Sequence, residues 1–359
     1  MNNNLYENVL NLLKNLIKTP SVSKFEDKTA DIIQSFLDEH NIISKRYMNN
    51  IWAFNKNYDD NKKTILLISH HDTVPPSSNY SINPFFPLEK DGKIFGLGSN
   101  DAGGCLVSLL YVFIYFYNHD NLNYNLLFVA ASEEEISGNN GIKTIYSKFF
   151  NKNNINLAIV GEPTNMEMNI GEKGLLVLDI YFKGKSSHVA LPYEGENAIY
   201  KSLKAIQWIK KYKFRKKSEF LGDTTMNVTQ IEGGIKHNII PDICKIVVDI
   251  RVNEHYNNLD LVQIIKKNIN FGEVVPRSTN LNSKLIDLNN EFVKIGLNMN
   301  LKTCFSATVS DRLLIPVNSI KMGPGKSERS HVSDEYVYVH EIQKAILIYS
   351  DILKKILLI

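Results

Sequence analysis

Four short segments carry side chains that could bind a metal ion, and most of them directly follow an apolar run. They are residues 69–75 (SHHDTVP), 96–104 (GLGSNDAGG), 131–138 (ASEEEISG) and 160–164 (VGEPT). A later segment, 322–335 (MGPGKSERSHVSDE), supplies one more histidine. In open α/β sheets, ligands bind outside the carboxyl ends of the strands. We therefore expect these segments to meet at one edge of a sheet.

The side chains in these segments could hold two metal ions. The donors are two histidines and three carboxylates: His70, Asp101, Glu135, Glu162 and His331. Imidazole and carboxylate ligands suit zinc-like ions, and two such ions ~3.5–4 Å apart can activate a water and polarise a carbonyl. Asp72 lies two residues after His70, so on an extended chain it points the same way and could hold the imidazole by its other nitrogen.

Each segment also has a simpler interpretation. His70 and Asp72 could belong to a solvated loop, and Asp101 could be the N-cap of the apolar helix that follows it. The acidic run Glu133–Glu135 could lie on the surface, although three adjacent carboxylates repel one another unless a cation lies among them. Glu162 could be an ordinary strand exit. A phosphate-binding loop at 96–104 is disfavoured, because the Walker lysine is absent.

The hydrophobic pattern predicts the elements that position these side chains. Short apolar runs, typical of strands buried on both faces, alternate with helical patterns, and this alternation indicates an α/β domain with a mostly parallel sheet. The predicted strands are 64–69, 125–131 and 157–160, and the predicted helices lie near 5–18, 25–40, 101–118 and 139–149.

The middle of the chain has a different pattern. Residues 174–183 alternate like a strand with one solvated face, and a β-α-β-β-α series continues to about residue 283. Such a series predicts a small α+β, ferredoxin-like domain. The α/β pattern resumes near residue 284 and ends in an amphipathic helix at about 340–358. The sequence therefore predicts one domain formed by 1–173 and 284–359, with a second domain, 174–283, inserted into it.

Composition excludes several classes of protein. The 359 residues are 43% hydrophobic with a net charge of +3, which disfavours both a disordered chain and a dedicated nucleic-acid binder. The three cysteines are scattered, which favours a reducing compartment. The apolar run Cys105–Tyr117 is shorter than the ~20 residues that cross a bilayer. With no signal-peptide pattern near the N-terminus, we expect a cytoplasmic protein that binds neither membrane nor nucleic acid.

The motifs HxD, GxGxxD, EE, GEPT and a late histidine, in this order, resemble the dinuclear zinc aminoacylase/carboxypeptidase family. That family includes acetylornithine deacetylase and succinyl-diaminopimelate desuccinylase, and the resemblance covers essentially the whole chain. It implies a metallopeptidase-type catalytic domain, an inserted lid domain that also forms a homodimer, and a centre of two divalent ions, zinc or cobalt. The implied enzyme is a hydrolase acting on linear amides.

The resemblance also implies roles for individual metal ligands. His70 and Glu162 would bind one ion, and Glu135 and His331 the other. Asp101 would bridge the two ions.

Two further residues of the same segments would act in catalysis. Asp72 would orient the first histidine, and Glu134 would be the general base, taking a proton from the metal-bridged water and passing it to the leaving amine. The assignment within Glu133–Glu135 depends on alignment to the family's acidic-Glu-Glu pattern, and a shift of one residue would change the roles.

The resemblance also implies roles for five further residues, one in catalysis and four in substrate binding. His188, in GKSSH, would stabilise the oxyanion, in the site of the partner subunit. Asn238 and Arg251 would hold the substrate's α-carboxylate, which the planar guanidinium of arginine suits well. Gly323 and Gly325 would let backbone N–H groups approach the substrate.

The wording of several motifs is most similar to the acetylornithine and succinylornithine deacetylases. It predicts that the enzyme removes the acyl group of N-acetyl-L-ornithine or N-succinyl-L-ornithine in arginine biosynthesis. The alternatives are an N-acetyl-L-lysine deacetylase, a succinyl-diaminopimelate desuccinylase of lysine biosynthesis and, more remotely, a non-catalytic binder of amino-acid derivatives. Arg277 and Arg329 could each read a second substrate carboxylate or could be surface charges.

Overall fold

The computed structural model describes residues 2–358 and divides into two compact units. The first unit contains the chain up to Ile170, Ile286–Cys304 and the chain from Ser310 onward; the second contains Gly171–Leu285 and Phe305–Val309. Nothing in the hydrophobic pattern separates the short segment 305–309 from its surroundings. Its assignment to the second unit is a result of packing alone.

The secondary structure is as follows. The helices are α1 (Asn3–Lys18), α2 (Asp27–Glu39), α3 (Gly104–Tyr117), α4 (Ile142–Ile145), α5 (Ala198–Lys211), α6 (Asn258–Asn268), α7 (Glu291–Asn298) and α8 (Val339–Leu357). The strands are β1 (Lys45–Tyr47), β2 (Asn50–Phe54), β3 (Thr64–His70), β4 (Leu88–Lys90), β5 (Lys93–Phe95), β6 (Asn125–Ala131), β7 (Ile155–Val160), β8 (Met168–Glu172), β9 (Gly174–Lys183), β10 (Ser187–His188), β11 (Thr225–Gly233), β12 (Ile239–Ile240), β13 (Ile243–Val252), β14 (Glu273–Pro276), β15 (Lys284–Leu285), β16 (Thr303–Ser306), β17 (Asn318–Lys321) and β18 (Tyr336–Tyr338).

The first unit is built on a mixed sheet with the strand order β1-β2-β6-β3-β7-β17-β8. Strand β3 pairs in parallel with β6 and β7, and β17 pairs in parallel with β7, whereas β2 and β8 are antiparallel to their neighbours. Every residue of β3 and β6 is buried, as expected for strands covered on both faces. The predicted α/β fold with a mostly parallel central sheet is confirmed.

Helix α3 is the most apolar helix of the first unit. Ser99–Tyr117 is long and apolar enough to cross a membrane, yet 83% of its most apolar window is buried inside the protein, as in a core helix. The pattern predicted a helix from residue 101, but α3 begins at Gly104, because Asp101 and Ala102 have non-helical backbone angles. The interpretation of Asp101 as an N-cap is therefore wrong.

The second unit is an antiparallel sheet with helices on one face. Its strand order is β11-β13-β9-β14, and α5 and α6 pack on the apolar face of these strands in one hydrophobic cluster. Burial alternates along β9, so its other face is more exposed, as predicted. Strand β11 lies at the edge of the sheet and has mostly exposed residues. A short antiparallel pair, β10 with β12, also belongs to this unit.

Candidate metal centre

Three of the predicted segments leave neighbouring parallel strands at the same edge of the first unit's sheet. His70 is the last residue of β3 and is 1% exposed. Glu134 and Glu135 follow β6, and Glu162 follows β7. Because β3 lies between β6 and β7 and is parallel to both, the carboxyl ends of all three strands are adjacent.

The first group of possible metal ligands is formed by His70, Asp101 and Glu162. The Nε2 atom of His70 lies 3.2 Å from Oδ1 of Asp101 and 3.7 Å from Oε1 of Glu162. The three donor atoms all lie within 4.8 Å of one another. A single cation could contact all three side chains.

The second group is formed by Asp101, Glu135 and His331. The Nε2 atom of His331 lies 2.9 Å from Oε2 of Glu135 and 3.5 Å from Oδ2 of Asp101. This hydrogen bond to Glu135 is the main cause that raises the pKa of His331 to about 9. Asp101 thus belongs to both groups and turns a different oxygen to each histidine. That is the arrangement of a carboxylate shared by two cations.

The electrostatics of the protein groups fit bound cations. Burial, with the nearby charge of Asp101, raises the pKa of Glu162 to about 8, and burial raises the pKa of Glu134 well above its usual range. Burial lowers the pKa of His70, but the carboxylates of Glu134 and Asp101 outweigh it, so the net direction is upward. Several buried carboxylates around one imidazole repel one another, and divalent cations relieve that repulsion.

The structure distinguishes the three adjacent glutamates. The Oε2 atom of Glu134 lies 4.0 Å from Nε2 of His70, and Glu135 faces His331. Glu133 has a left-handed backbone with φ of 57°, and its carboxylate accepts hydrogen bonds from the backbone N and side-chain Nδ2 of Asn140, at 3.1 and 2.8 Å. The carboxylate of Glu133 therefore binds Asn140 and belongs to neither ligand group, and the roles assigned within Glu133–Glu135 stay a prediction.

Asp72 contacts more groups than the sequence indicated. The Nδ1 atom of His70 lies 3.0 Å from the backbone O of Asp72, whereas the carboxylate is 3.6 Å away. The carboxylate instead accepts the backbone N–H groups of Glu134 and Glu135, at 3.1 and 3.2 Å, and the hydroxyl of Ser23 at 2.6 Å. Asp72 thus faces His70 mainly through its backbone and holds the glutamate turn through its side chain.

Two buried glutamates beside the centre were missed from the sequence. Glu26 accepts the backbone N–H of Glu133 at 3.1 Å, and Glu335 accepts three N–H groups of the loop that contains Asp101. Glu335 ends the segment that carries His331, so its place beside a ligand was a signal. Glu26 stands alone just before α2, and no spacing pattern distinguishes it from a surface charge.

Gly323 and Gly325 lie where side chains would collide with the centre's supporting loops. A Cβ atom on Gly323 would lie 2.6 Å from the backbone O of Glu162, and one on Gly325, whose φ is +83°, would lie 2.2 Å from Oδ1 of Asn100. The N–H of Gly323 donates to Oγ1 of Thr164 at 3.2 Å. Close packing of two loops explains these glycines, and their role toward substrate stays a prediction.

The predicted residues of the second unit do not lie together. His188 is in β10, and the next N–H, that of Val189, donates to the backbone O of Asn238 at 3.1 Å. Asn238 lies shortly before the start of β13, whereas Arg251 lies near the end of this strand. The length of strand between them is roughly 25 Å at ~3.3 Å per residue. Asn238 and Arg251 of one chain are therefore too far apart to hold the same small carboxylate, and their role toward substrate stays a prediction.

The guanidinium groups considered for substrate carboxylates already have carboxylate partners. Arg251 binds both oxygens of Asp249, at 2.9 and 3.1 Å. Arg277 binds both oxygens of Asp179, at 2.9 and 3.0 Å. The guanidinium of Arg329 likewise binds both oxygens of Glu341, at 2.9 and 2.7 Å.

Two family profiles match the chain. The profile described as a peptidase dimerisation domain matches residues 170–273, and the profile of peptidase family M28 matches residues 50–204. The first covers nearly the whole inserted unit. The second covers the strands that end in the candidate ligands.

The chain is also similar to individual proteins. The succinyl-diaminopimelate desuccinylase of Buchnera aphidicola is 30% identical over 74% of each chain, and that of Wigglesworthia glossinidia brevipalpis is 29% identical over 98% of this chain and 99% of the relative. Among solved structures, the M20 family metallo-carboxypeptidase Sso-CP2 of Sulfolobus solfataricus superposes with a TM-score of 0.80 at 20% identity, covering 96% of this chain and 98% of that one.

These comparisons support the predicted family and reaction class more strongly than the predicted substrate. Both relatives named above are succinyl-diaminopimelate desuccinylases, the alternative that the sequence left open, and neither is an ornithine deacetylase. The agreement of family profiles, relatives and fold nevertheless identifies a hydrolase that acts on amide bonds. The chain belongs to the M20 family of metallopeptidases.

Proposed function

We propose that this enzyme hydrolyses the amide of an N-acyl amino acid, with N-succinyl-diaminopimelate as its first candidate substrate. The observation that carries this proposal is the position of Asp101, which faces His70 with one oxygen and His331 with the other while Glu134 lies beside the first histidine. The arrangement combines two possible cation sites with one carboxylate left for proton transfer. The succinyl-diaminopimelate desuccinylases that resemble this chain support the choice of substrate.

The donor set is suited to two zinc or cobalt ions. His70 and Glu162 would hold one ion, Glu135 and His331 the other, and Asp101 both. The nitrogen and oxygen donors match the preferences of these ions. When bound, the ions supply Lewis-acid polarisation of the carbonyl and lower the pKa of water.

Glu134 would move the proton that the reaction requires. A water attacks the carbonyl carbon of the amide, Glu134 takes its proton, and the same proton is passed to the nitrogen as the C–N bond breaks. The products are the free carboxylic acid and the amine. Burial raises the pKa of Glu134, so its carboxyl can keep a proton between the two transfers. Asp72 holds the backbone on which this glutamate is placed.

A homodimer would complete the site. Within one chain, His188 and Asn238 lie at one end of the second unit and Arg251 near the other end of β13. One substrate could still meet all three if His188 and Asn238 came from the partner subunit. The match to a peptidase dimerisation domain supports this, as does the exposed edge strand β11 with Ile231 55% exposed, a surface suited to strand addition. We expect the dimer to act in the cytoplasm.

N-acetyl-L-ornithine is the second candidate substrate, and a specific observation favours it. A succinyl group or a diaminopimelate side chain adds carboxylates that the protein must recognise. Arg277 and Arg329, which could do so, are each paired with an internal carboxylate. A substrate with fewer carboxylates would not need either guanidinium group.

The experiment that tests the proposal is amine release by purified enzyme, with and without added zinc or cobalt. N-succinyl-LL-diaminopimelate, N-acetyl-L-ornithine, N-succinyl-L-ornithine and N-acetyl-L-lysine are compared at equal concentration. Metal-dependent release with the first substrate preferred would support the proposal. Preference for an ornithine derivative would replace the substrate but keep the mechanism. No release from any of them, with metal bound, would contradict the proposed activity and favour a non-catalytic binder.

A further inference from the structure

We infer that Glu335 is a positioning residue that holds Asp101 in the orientation needed to face both cation sites. This inference rests on the proposed dinuclear function. Glu335 is 2% exposed and lies four residues after His331. It touches no group that would react.

The side chain of Glu335 binds the backbone of the Asp101 loop at three points. Its Oε1 atom accepts the N–H of Asn100 at 2.7 Å and that of Asp101 at 2.9 Å, and its Oε2 atom accepts the N–H of Gly98 at 3.1 Å. Both oxygens therefore accept from amides, and hydrogen bonds of a carboxylate to N–H donors are among the stronger ones in proteins. Three such bonds restrain the backbone of this loop.

The Asp101 loop needs an external support. Asp101 and Ala102 have non-helical backbone angles, so the regular bonds of α3 begin only after them. The side chain of Asp101 lies among the carboxylates of Glu135 and Glu162, whose charge repels it. Without a fixed backbone, Asp101 could turn away from one of the two histidines.

Glu335 also joins this loop to the segment that carries His331. The backbone O of Glu335 accepts the N–H of Gly96 at 2.9 Å, and the side chain of Asn100 donates to the backbone O of Lys326 and to the hydroxyl of Ser330. The shared carboxylate and the late histidine are thus parts of one hydrogen-bonded framework. Loss of the Glu335 carboxylate should therefore affect both ions.

The variant Glu335→Gln tests this role with little change of shape. The glutamine oxygen can still accept two N–H groups, but its amide NH₂ would meet the N–H of Gly98 donor to donor. Asp334→Asn is the matched control. Asp334 is the adjacent residue and accepts the N–H groups of Ser81 and Ile82, away from the Asp101 loop.

The measurement is the affinity for Zn²⁺ in competition with a chromophoric chelator, together with the visible spectrum of the Co²⁺-loaded enzyme. For Glu335→Gln we expect affinity to fall about 10- to 100-fold, as for other residues that orient metal ligands, and the Co²⁺ spectrum to change. Asp334→Asn should match the wild type in both. Circular dichroism and the thermal midpoint in chelator check that both variants fold.

Wild-type affinity and an unchanged Co²⁺ spectrum in Glu335→Gln would overturn the inference. If this variant does not fold, Glu335→Asp is the second variant, since it keeps the charge but withdraws the oxygens by one methylene. It should show a smaller loss of metal affinity, and unchanged affinity would also overturn the inference. Metal binding is measured apart from turnover. A wild type that binds two ions but hydrolyses no substrate would therefore contradict the proposed activity. The metal affinity of Glu335→Gln would still decide this inference.

Discussion

The carboxylate of Asp72 accepts the backbone N–H of Glu134 at 3.1 Å, although 62 residues separate them in the chain. The same carboxylate also accepts the next N–H, that of Glu135, at 3.2 Å. The residue that follows a strand-end histidine by two positions therefore fixes the turn after a neighbouring strand. A proposed base and a proposed ligand are held on one anchor, so their spacing does not depend on the flexibility of the turn.

Removal of the charge at this anchor should impair catalysis. In Asp72→Asn one oxygen becomes an NH₂ group, which cannot accept the N–H of the glutamate turn. We expect activity to fall by about 10- to 100-fold, the range for residues that orient a metal site, measured as kcat at saturating Zn²⁺. Ser23→Ala removes only the hydroxyl that donates to Asp72, a change of ~1 kcal/mol in the free energy of unfolding. Equal losses of activity in both variants would assign Asp72 a structural role only.

Substitution of Glu134 and substitution of Glu133 should have different effects on turnover. Glu134→Gln cannot take or donate the proton, so we expect turnover to fall by at least ~10²–10⁴-fold with two ions still bound, as measured by metal analysis of the purified variant. Glu133→Gln is the matched control, because Glu133 faces Asn140. It should alter stability and leave most of the activity. Equal loss of metal in Glu134→Gln would show that Glu134 is a ligand and that the base has been misplaced.

Substitution of one histidine should remove one ion. His331 faces only the second ligand group, so His331→Ala should lower the metal content from about two ions to about one per chain. His188→Ala, in the second unit, should leave the content unchanged. The measurement is metal analysis after dialysis against limiting Zn²⁺. A variant His331→Ala that keeps both ions would contradict the assignment of this ligand.

Glu26 should make the stability of the protein depend on pH. Burial is the main cause that raises the pKa of Glu26 to about 7, and its Oε2 atom has no hydrogen-bond partner among the residues described. The folded state then binds more protons than the unfolded state between about pH 4.5 and 7. Stability from this group is therefore fully present at low pH and is lost as the pH rises through 7.

The variant Glu26→Gln keeps an acceptor for the N–H of Glu133 and cannot ionise. Relative to wild type it should gain stability at pH 8 over pH 5, by on the order of 3 kcal/mol at ~1.36 kcal/mol per pKa unit. Thermal unfolding at both pH values measures this. If the two proteins lose stability in parallel, the charge of Glu26 is not the cause.

Two inactive variants should restore activity when mixed. If His188 acts in the site of the partner subunit, a dimer of one Glu134→Gln chain and one His188→Ala chain contains one intact site. After denaturation and refolding of an equal mixture, about a quarter of the wild-type activity should return, because half of the dimers are mixed and each has one working site of two. Each variant refolded alone is the control. No recovery, with mixed dimers present, would place His188 in the site of its own chain.

The amino-acid sequence by itself determined the fold class and the set of candidate ligands. The bounds of strands 125–131 and 174–183 follow from local patterns of apolar residues, and the structure reproduces them. The ligand side chains come directly after buried strands, and neighbouring parallel strands end at one edge. Local order along the chain therefore carries this information.

Only the tertiary structure decided which neighbours support those ligands. That Glu335 holds the loop of Asp101 depends on hydrogen bonds across 234 to 237 positions of the chain. The distance between Asn238 and Arg251 depends on the length of β13 and on which of its ends each residue joins. Hydrogen bonds from a side chain to a distant stretch of backbone leave no periodic pattern in the sequence, because any polar residue at the right place in space can make them.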